Sequence, residues 1–319
     1  MKKVLITGCE GFIGSSLWVY LENNGFNVFG IDILCLDSKN KFKVDINSLD
    51  DLEKIVLKIS PDYIIHLAAR IDISNDPSWK YFSNTLGVNN LIIVSNKVKN
   101  LRRIIFTSTQ LVNKLGDKFI NYENYTANTS YGESKVIGEL LVRSKIVEKE
   151  WIIVRPSTVW GPKMGNHYLN FFKYINRGLY FNVTNKKCFK SFSYIGNLTF
   201  QVEKLLLADS NLVNKKTFYL SDYKPLELQN WTKNISINLN NKKVYSIPIQ
   251  LSFLIGLAFK FLNFLKFIKK PPISIYNIKN ISTTYVNNND LLKITGPLPY
   301  NLNDAIIQTT NWFKKKYEN

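Results

Sequence analysis

Five short apolar runs, each closed by small or polar residues, punctuate the first half of the chain: "KVLITG" (3–8), "NVFGID" (27–32), "DYIIHLAA" (62–69), "RRIIFTST" (102–109) and "WIIVRPS" (151–157). Runs this short and this continuous suit strands buried on both faces, and the helically spaced stretches between them supply the crossovers of a parallel sheet. The pattern predicts an α/β fold, a doubly wound parallel sheet, with ligands bound beyond the carboxyl ends of its strands. Beyond about Pro162 the alternation weakens into helices and short strands. The expected division is therefore 1–162 for a nucleotide-binding domain that also carries the catalytic residues. Residues 163–319 form a smaller, mainly substrate-binding lobe, with some segments returning to the first domain.

The end of the first run is the most informative. "TGCEGFIG" sets Gly8, Gly11 and Gly14 between a strand and the helix "FIGSSLWVYLENN". Glycines there let the backbone approach a pyrophosphate, whose charge meets the free N–H groups of the helix start, around Phe12 and Ile13. The second strand ends in Asp32, at the distance expected for a carboxylate that accepts bonds from both adenosine ribose hydroxyls. Such a carboxylate repels a 2′-phosphate and favours NAD over NADP. Asp37 offers only loop solvation, while Asp45, beside Ile46 in "KVDI", is a candidate for the adenine amino group. These features make the sheet Rossmann-type.

"SYGESK" places Tyr131 and Lys135 four residues apart, on one face of a helix. There a lysine ammonium can lower the tyrosine pKa from near 10 and make it an acid/base at neutral pH. Alone, this spacing is common on surface helices; the glycine turn gives it a context.

Ordered along the chain, "TGCEGFIG", Asp32, "VDI", "HLAA", "NTLG" (84–87), "FTST", "YGESK" and "RPSTVWGP" resemble the extended short-chain dehydrogenase/reductases, and within them the NAD-dependent nucleotide-sugar epimerase/dehydratase family. The resemblance implies that Tyr131 is the acid/base. Lys135 would hold the nicotinamide ribose and lower the tyrosine pKa, and Thr109 would hydrogen-bond the reacting oxygen. Further cofactor contacts would fall on Ala68, Ala69, Thr107 and Pro156. Substrate contacts would fall on Thr109, Gln110, Ser157 and Thr158, with Ser157 and Thr158 standing where relatives often carry an asparagine. Lys190 in "CFKSFSYIGNL" occupies the family's basic position, a candidate for a diphosphate or simply a solvated lysine. His66 is expected to be structural, and His167 is either a loop residue or a sugar contact.

The family's dehydratases carry two acids after the threonine, where this chain has Gln110 and Leu111. Glutamine cannot give or take a proton, which argues against water elimination and leaves redox at one carbon. The readings that follow are epimerisation, at C4 of a nucleoside-diphosphate sugar, or keto-sugar reduction in surface-polysaccharide synthesis. A 3β-hydroxysteroid-dehydrogenase-like enzyme on an apolar alcohol is the alternative. A non-catalytic NAD- or RNA-binding protein is the third, disfavoured by an intact threonine, tyrosine and lysine set.

The net charge of +18 over 319 residues changes this picture little. The cations are nearly all lysines in a chain also rich in asparagine, isoleucine and phenylalanine, so composition accounts for the charge and nucleic acid is not favoured. Cys9, Cys35 and Cys188 fit neither a disulfide framework nor a zinc set, and no metal is expected. The N-terminal apolar run is too short for a secretory signal, so a cytoplasmic protein, and a homodimer, are expected. One segment stands apart. "IQLSFLIGLAFKFLNFLKFIKK" (249–270), between Pro248 and Pro271, has a narrow polar stripe (Ser252, Gly256, Lys260, Asn263, Lys266, Lys270) beside a broad apolar arc. It is too short to span a bilayer. Residues 249–268 either lie at an inner-membrane surface or pack in the lobe or at a dimer interface.

Overall fold

The computed structural model describes residues 1–73, 76–144, 148–265, 267, 275–288 and 290–317, apart from the side chains of Asn166, His167 and Tyr276. Its centre is a sheet of seven parallel strands: β1 (Lys3–Thr7), β2 (Asn27–Asp32), β3 (Lys41–Lys43), β4 (Tyr63–His66), β5 (Arg103–Thr107), β6 (Glu150–Pro156) and β7 (Lys216–Leu220). They lie in the order β7-β6-β5-β4-β1-β2-β3, which is the doubly wound topology the apolar runs predict. Order reverses beside β1, and that switch point is where the glycine turn leaves the sheet.

The helices follow from the spacing between strands. Those longer than one turn are α1 (Phe12–Asn23), α2 (Leu49–Ile59), α3 (Phe82–Lys97), α4 (Ser130–Ser144), α5 (Asn166–Arg177), α6 (Ile195–Leu207), α7 (Leu228–Leu239), α8 (Ile249–Phe264), α9 (Ile275–Ser282) and α10 (Leu302–Tyr317). Leu52, Val56, Val88, Leu91 and Val142 from α2, α3 and α4 pack on Leu5, Ile64, Ile104 and Ile153 of the strands, all buried. Asn84 explains the polar residue inside this layer. Its amide takes the Arg70 N–H at 2.9 Å and donates to the Arg70 carbonyl at 3.0 Å and to Ser134 Oγ at 2.8 Å, which ties α3 to α4.

The chain gathers into two compact units. The first comprises Met1–Val159, Ser193–Asp222 and Asn287–Tyr300. It therefore includes β7, whose "KTFYL" pairs with β6 in the register Phe218↔Val154. The second comprises Trp160–Phe192, Tyr223–Val286 and Asn301–Asn319. Its core is aromatic: Trp231 of α7 stacks on Phe171 of α5 at 5.1 Å and meets Trp160 and Phe192 edge-on at 5.2 and 5.1 Å. Among the described residues no helix is long and apolar enough to cross a membrane.

Candidate active site

The turn after β1 shows why glycine stands where it does. Gly8 has φ +75°, and a Cβ there would lie 2.7 Å from the Ala68 nitrogen. A Cβ on Gly14 would lie 2.1 Å from the Gly8 carbonyl oxygen, so α1 could not sit so close to the strand end. Gly11 has a different task. It caps α1 in an extended conformation without a side-chain bond to the helix start, leaving the first N–H groups, with their partial positive charge, available to an anion.

A cleft of about 480 Å³ opens over this turn. It is lined by Gly8, Gly11, Phe12, Ile13 and Gly14, by Asp32 at the end of β2, and by Asp45 and Ile46. Across the switch point it is lined by Ala68, Ala69, Thr107, Thr109, Tyr131, Lys135, Pro156 and Ser157. Asp32 is held by the N–H groups of Glu10 at 3.1 Å and Leu34 at 3.0 Å. Asp45 accepts the Asn47 N–H at 2.9 Å, and its carboxylate edge remains in the cleft wall. A dinucleotide fits this donor set. The glycine turn leaves its helix-start N–H groups open to a phosphate, the Asp32 carboxylate ends β2 beside it, and the buried Thr107 hydroxyl has no partner among the described residues.

The sequence places Thr109, Tyr131 and Lys135 on two elements, and the fold brings them to one wall of the cleft. Thr109 follows β5 and accepts the Leu111 N–H at 3.2 Å. Tyr131 and Lys135 lie on the first turns of α4. Burial raises Tyr131 to about 12, and the hydrogen bond from Thr109 pulls it the other way. Burial lowers Lys135 to about 8, and Glu139 pulls it back up. Lys135 Nζ donates to the Thr107 carbonyl at 2.9 Å. Burial and Tyr81 thus raise Tyr131, and Thr109 lowers it.

Other expected contacts fall elsewhere. Gln110 is buried outside the cleft lining, with its Nε2 donating to Thr158 Oγ1 at 3.4 Å, while Gln110 Oε1 and Ser157 Oγ have no partner among the described residues. Lys190 departs from the expected phosphate contact. It is buried, donates to the carbonyls of Asn280 at 2.6 Å and of Thr283, and caps the end of α9. Burial lowers its pKa. Its hydrogens are committed to carbonyls some ninety residues away in sequence, which the local pattern "CFK" does not reveal. His66 is buried and neutral, pushed down to about 3 by burial, with Nδ1 on Thr7 Oγ1 at 2.8 Å. The side chain of His167 lies outside the described residues.

Three groups near the site escaped the sequence motifs. Glu139, one turn beyond Lys135, takes Arg155 through two contacts of 2.8 Å and Ser108 Oγ at 2.5 Å. Its signal in the sequence is an acid at i+4 from the lysine, facing inward with it. Cys9 and Cys35, 26 residues apart, bring their sulfurs within 3.4 Å beside Glu10. Burial pushes both thiols up, so they stay protonated.

A parallel sheet with a glycine cradle at its switch point, and with threonine, tyrosine and lysine on the opposite wall, defines a dinucleotide-binding protein of the short-chain dehydrogenase/reductase type. The chain belongs to the NAD-dependent epimerase/dehydratase family, whose model matches residues 4–198. A UDP-glucose 4-epimerase of Pisum sativum is 33% identical over 177 residues, which cover 48% of this chain and 50% of that protein. The chain thus spans about half the length of the first curated relatives it matches. A 3-beta-hydroxysteroid dehydrogenase of Mycolicibacterium neoaurum is 24% identical over 265 residues, covering 76% of this chain and 71% of that protein. Among solved structures, the UDP-glucose 4-epimerase of Thermotoga maritima with UDP-glucose has a TM-score of 0.74 at 18% identity. That likeness covers 98% of this chain and 99% of that one, and it is one of fold.

Proposed function

We propose that this protein is an NAD-dependent oxidoreductase that interconverts an alcohol and a ketone at one carbon of a nucleoside-diphosphate sugar. The carbon in this reading is C4, and the enzyme is an epimerase or keto-sugar reductase of surface-polysaccharide synthesis. The observation that carries it is the meeting of Thr109, Tyr131 and Lys135 on the wall of a cleft whose other wall is the glycine cradle. Likeness to nucleotide-sugar enzymes over half of the chain supports the substrate class.

When bound, NAD accepts a hydride from the sugar carbon and can return it, and its oxidised ring carries a positive charge. The rest belongs to the protein. Tyr131, raised to about 12, holds its proton at neutral pH and is the acid that meets a ketone oxygen. Giving that proton up leaves a tyrosinate, which the hydrogen bond from Thr109 favours, and in the opposite direction this tyrosinate takes the hydroxyl proton back. Lys135 stays largely cationic at neutral pH and, beyond the Thr107 carbonyl, has two further N–H bonds for ribose hydroxyls. Ser157, buried in the cleft wall with a hydroxyl unpartnered among the described residues, is the polar group best placed for a sugar hydroxyl. Gln110 holds no titratable proton, so the site moves protons at one oxygen and eliminates no water.

A second reading, oxidation of an apolar hydroxysteroid-like alcohol, is favoured by the 24% identity to the mycobacterial dehydrogenase. The deciding experiment is incubation with nucleotide sugars, keto-sugar nucleotides and hydroxysteroids, with products identified by NMR. Interconversion of a nucleotide hexose pair supports the first reading. Turnover of hydroxysteroids alone overturns it.

A further inference from the structure

Helix α8 is built inside out. A surface helix ordinarily buries its apolar stripe and shows its polar one. In α8 the two buried residues are Ser252 and Gly256. Ser252 Oγ donates to the Val183 carbonyl at 2.8 Å. At Gly256 a Cβ would come within 2.9 Å of Ile278 Cδ1, so glycine is what lets α9 lie close. Phe253, Ile255 and Phe259 are half-buried, and the other large side chains point away from the protein. Leu251, Leu254, Leu257, Phe261 and Phe264 are exposed, and Phe264 and Phe267 are 79% and 76% open to solvent. Two of the stripe positions thus face the protein, and the apolar arc has no cover among the described residues. Scattered surface leucines need no explanation, but a contiguous row along one helix marks a binding face.

Charge identifies what would cover it. From 228 to 289 the chain carries eight lysines and no aspartate or glutamate. Lys233, Lys242, Lys243, Lys260 and Lys279 are exposed. A second copy docking isologously would set the same lysine-rich, acid-free segment against itself. An anionic lipid surface supplies both an apolar phase for the arc and counter-charge for the lysines.

We propose that α8 is a membrane-docking element that lies flat in the headgroup boundary of an anionic phospholipid bilayer. Its leucines and phenylalanines enter the acyl region, and its Ser252–Gly256 side stays on the protein. Lys260, on the same helix, reaches the phosphates along its own alkyl chain. The proposal is independent of the reaction assigned above.

The test is flotation of the full chain with phosphatidylcholine vesicles, with and without phosphatidylglycerol, at low and high salt. The protein should float with the anionic vesicles at low salt and less at high salt. Replacing Leu254→Ser, Phe261→Ser and Phe264→Ser together should lower the bound fraction by about tenfold or more, with the far-UV circular dichroism unchanged. The pair Lys242→Glu and Lys243→Glu, which leaves the arc intact, should weaken binding to anionic vesicles selectively. Absence of flotation at low salt overturns the proposal. So does undiminished flotation of the serine variant. A dimer by light scattering that the serine substitutions split, with no vesicle binding by either form, would make the face an interface between copies and equally overturn it.

Discussion

Arg155 and Glu139 meet through two hydrogen bonds of 2.8 Å, both side chains buried, and Ser108 Oγ closes on the same carboxylate at 2.5 Å. This network clamps α4 to β6 and to the end of β5, and so sets the position of Lys135 one turn away. Removing one partner of a buried pair strands the other charge, which costs about 3–5 kcal/mol. Glu139→Gln is therefore expected to lower stability by about that amount in urea unfolding. It should also act on Lys135. Glu139 is what raises the lysine against its burial, so the alkaline limb that Lys135 is expected to set should move to lower pH in this variant, a shift that a purely structural defect would not produce.

Tyr131→Phe removes the proton that the proposed reaction needs while leaving the ring in its buried place. Turnover should fall by about 10²–10⁴-fold. The cleft lining on the phosphate side is untouched, so NAD content, read from the absorbance released on denaturation, should stay at the wild-type level. Unchanged turnover would take tyrosine out of the mechanism.

Two glycines of the turn, Gly14 and Gly11, are predicted to differ. An alanine methyl at Gly14 meets the Gly8 carbonyl oxygen at 2.1 Å, whereas at Gly11 it meets that atom at 3.3 Å. The first must move backbone and the second only adjusts it. In titrations with NAD, Gly14→Ala should abolish measurable binding together with much of the thermal stability. Gly11→Ala should keep the fold and lose only a modest factor in affinity.

These sites differ in how far the sequence exposes them. The glycine turn, Asp32, Tyr131 and Lys135 are legible because each rests on local geometry: a tight turn, a strand end, one turn of helix. The Glu139–Arg155–Ser108 clamp joins residues 16 and 31 positions apart on separate elements, and the acid at i+4 from Lys135 does not reveal its partners. Lys190 misleads for the same reason, since the carbonyls that hold it lie about ninety residues downstream. β7 escapes because "KTFYL" follows helices in the half of the chain where alternation has faded, yet it completes the edge beside β6. In 249–264 the stripe is visible in the spacing of polar residues. Which side of the helix faces the protein is decided by Val183 and Ile278, from other elements.

Asp32 makes a separable prediction about the cofactor. Its carboxylate is fixed by two backbone N–H groups at the end of β2, which would hold its charge at the proposed ribose contact. Asp32→Ser removes the repulsion a 2′-phosphate would meet and one acceptor for the ribose hydroxyls. Binding of NAD should weaken while NADP binding strengthens, and the ratio of their dissociation constants should shift by more than about tenfold, equivalent to 1.4 kcal/mol. An unchanged ratio would place adenosine discrimination elsewhere.

Stability at mild acid pH should reflect two buried groups of opposite sign. His66, lowered to about 3 by burial, is neutral in the folded chain but takes a proton near 6.5 once unfolded. The unfolded state then binds more protons, so the stability present above pH 6.5 is lost as pH falls toward 3, at up to about 1.4 kcal/mol per pH unit. Asp222, which accepts from Asn197 Nδ2 at 2.8 Å and from the Tyr194 N–H, is raised by burial to about 6. Its contribution has the reverse sign: stability is greatest below the unfolded carboxylate pKa and declines as pH rises through 6. Between about pH 4 and 6 the two slopes oppose each other. Urea unfolding across that window should show a shallow dependence for the native chain. In Asp222→Asn stability should rise with pH, and in His66→Gln it should fall with pH. Parallel curves for the three proteins would mean that neither group changes its protonation on unfolding.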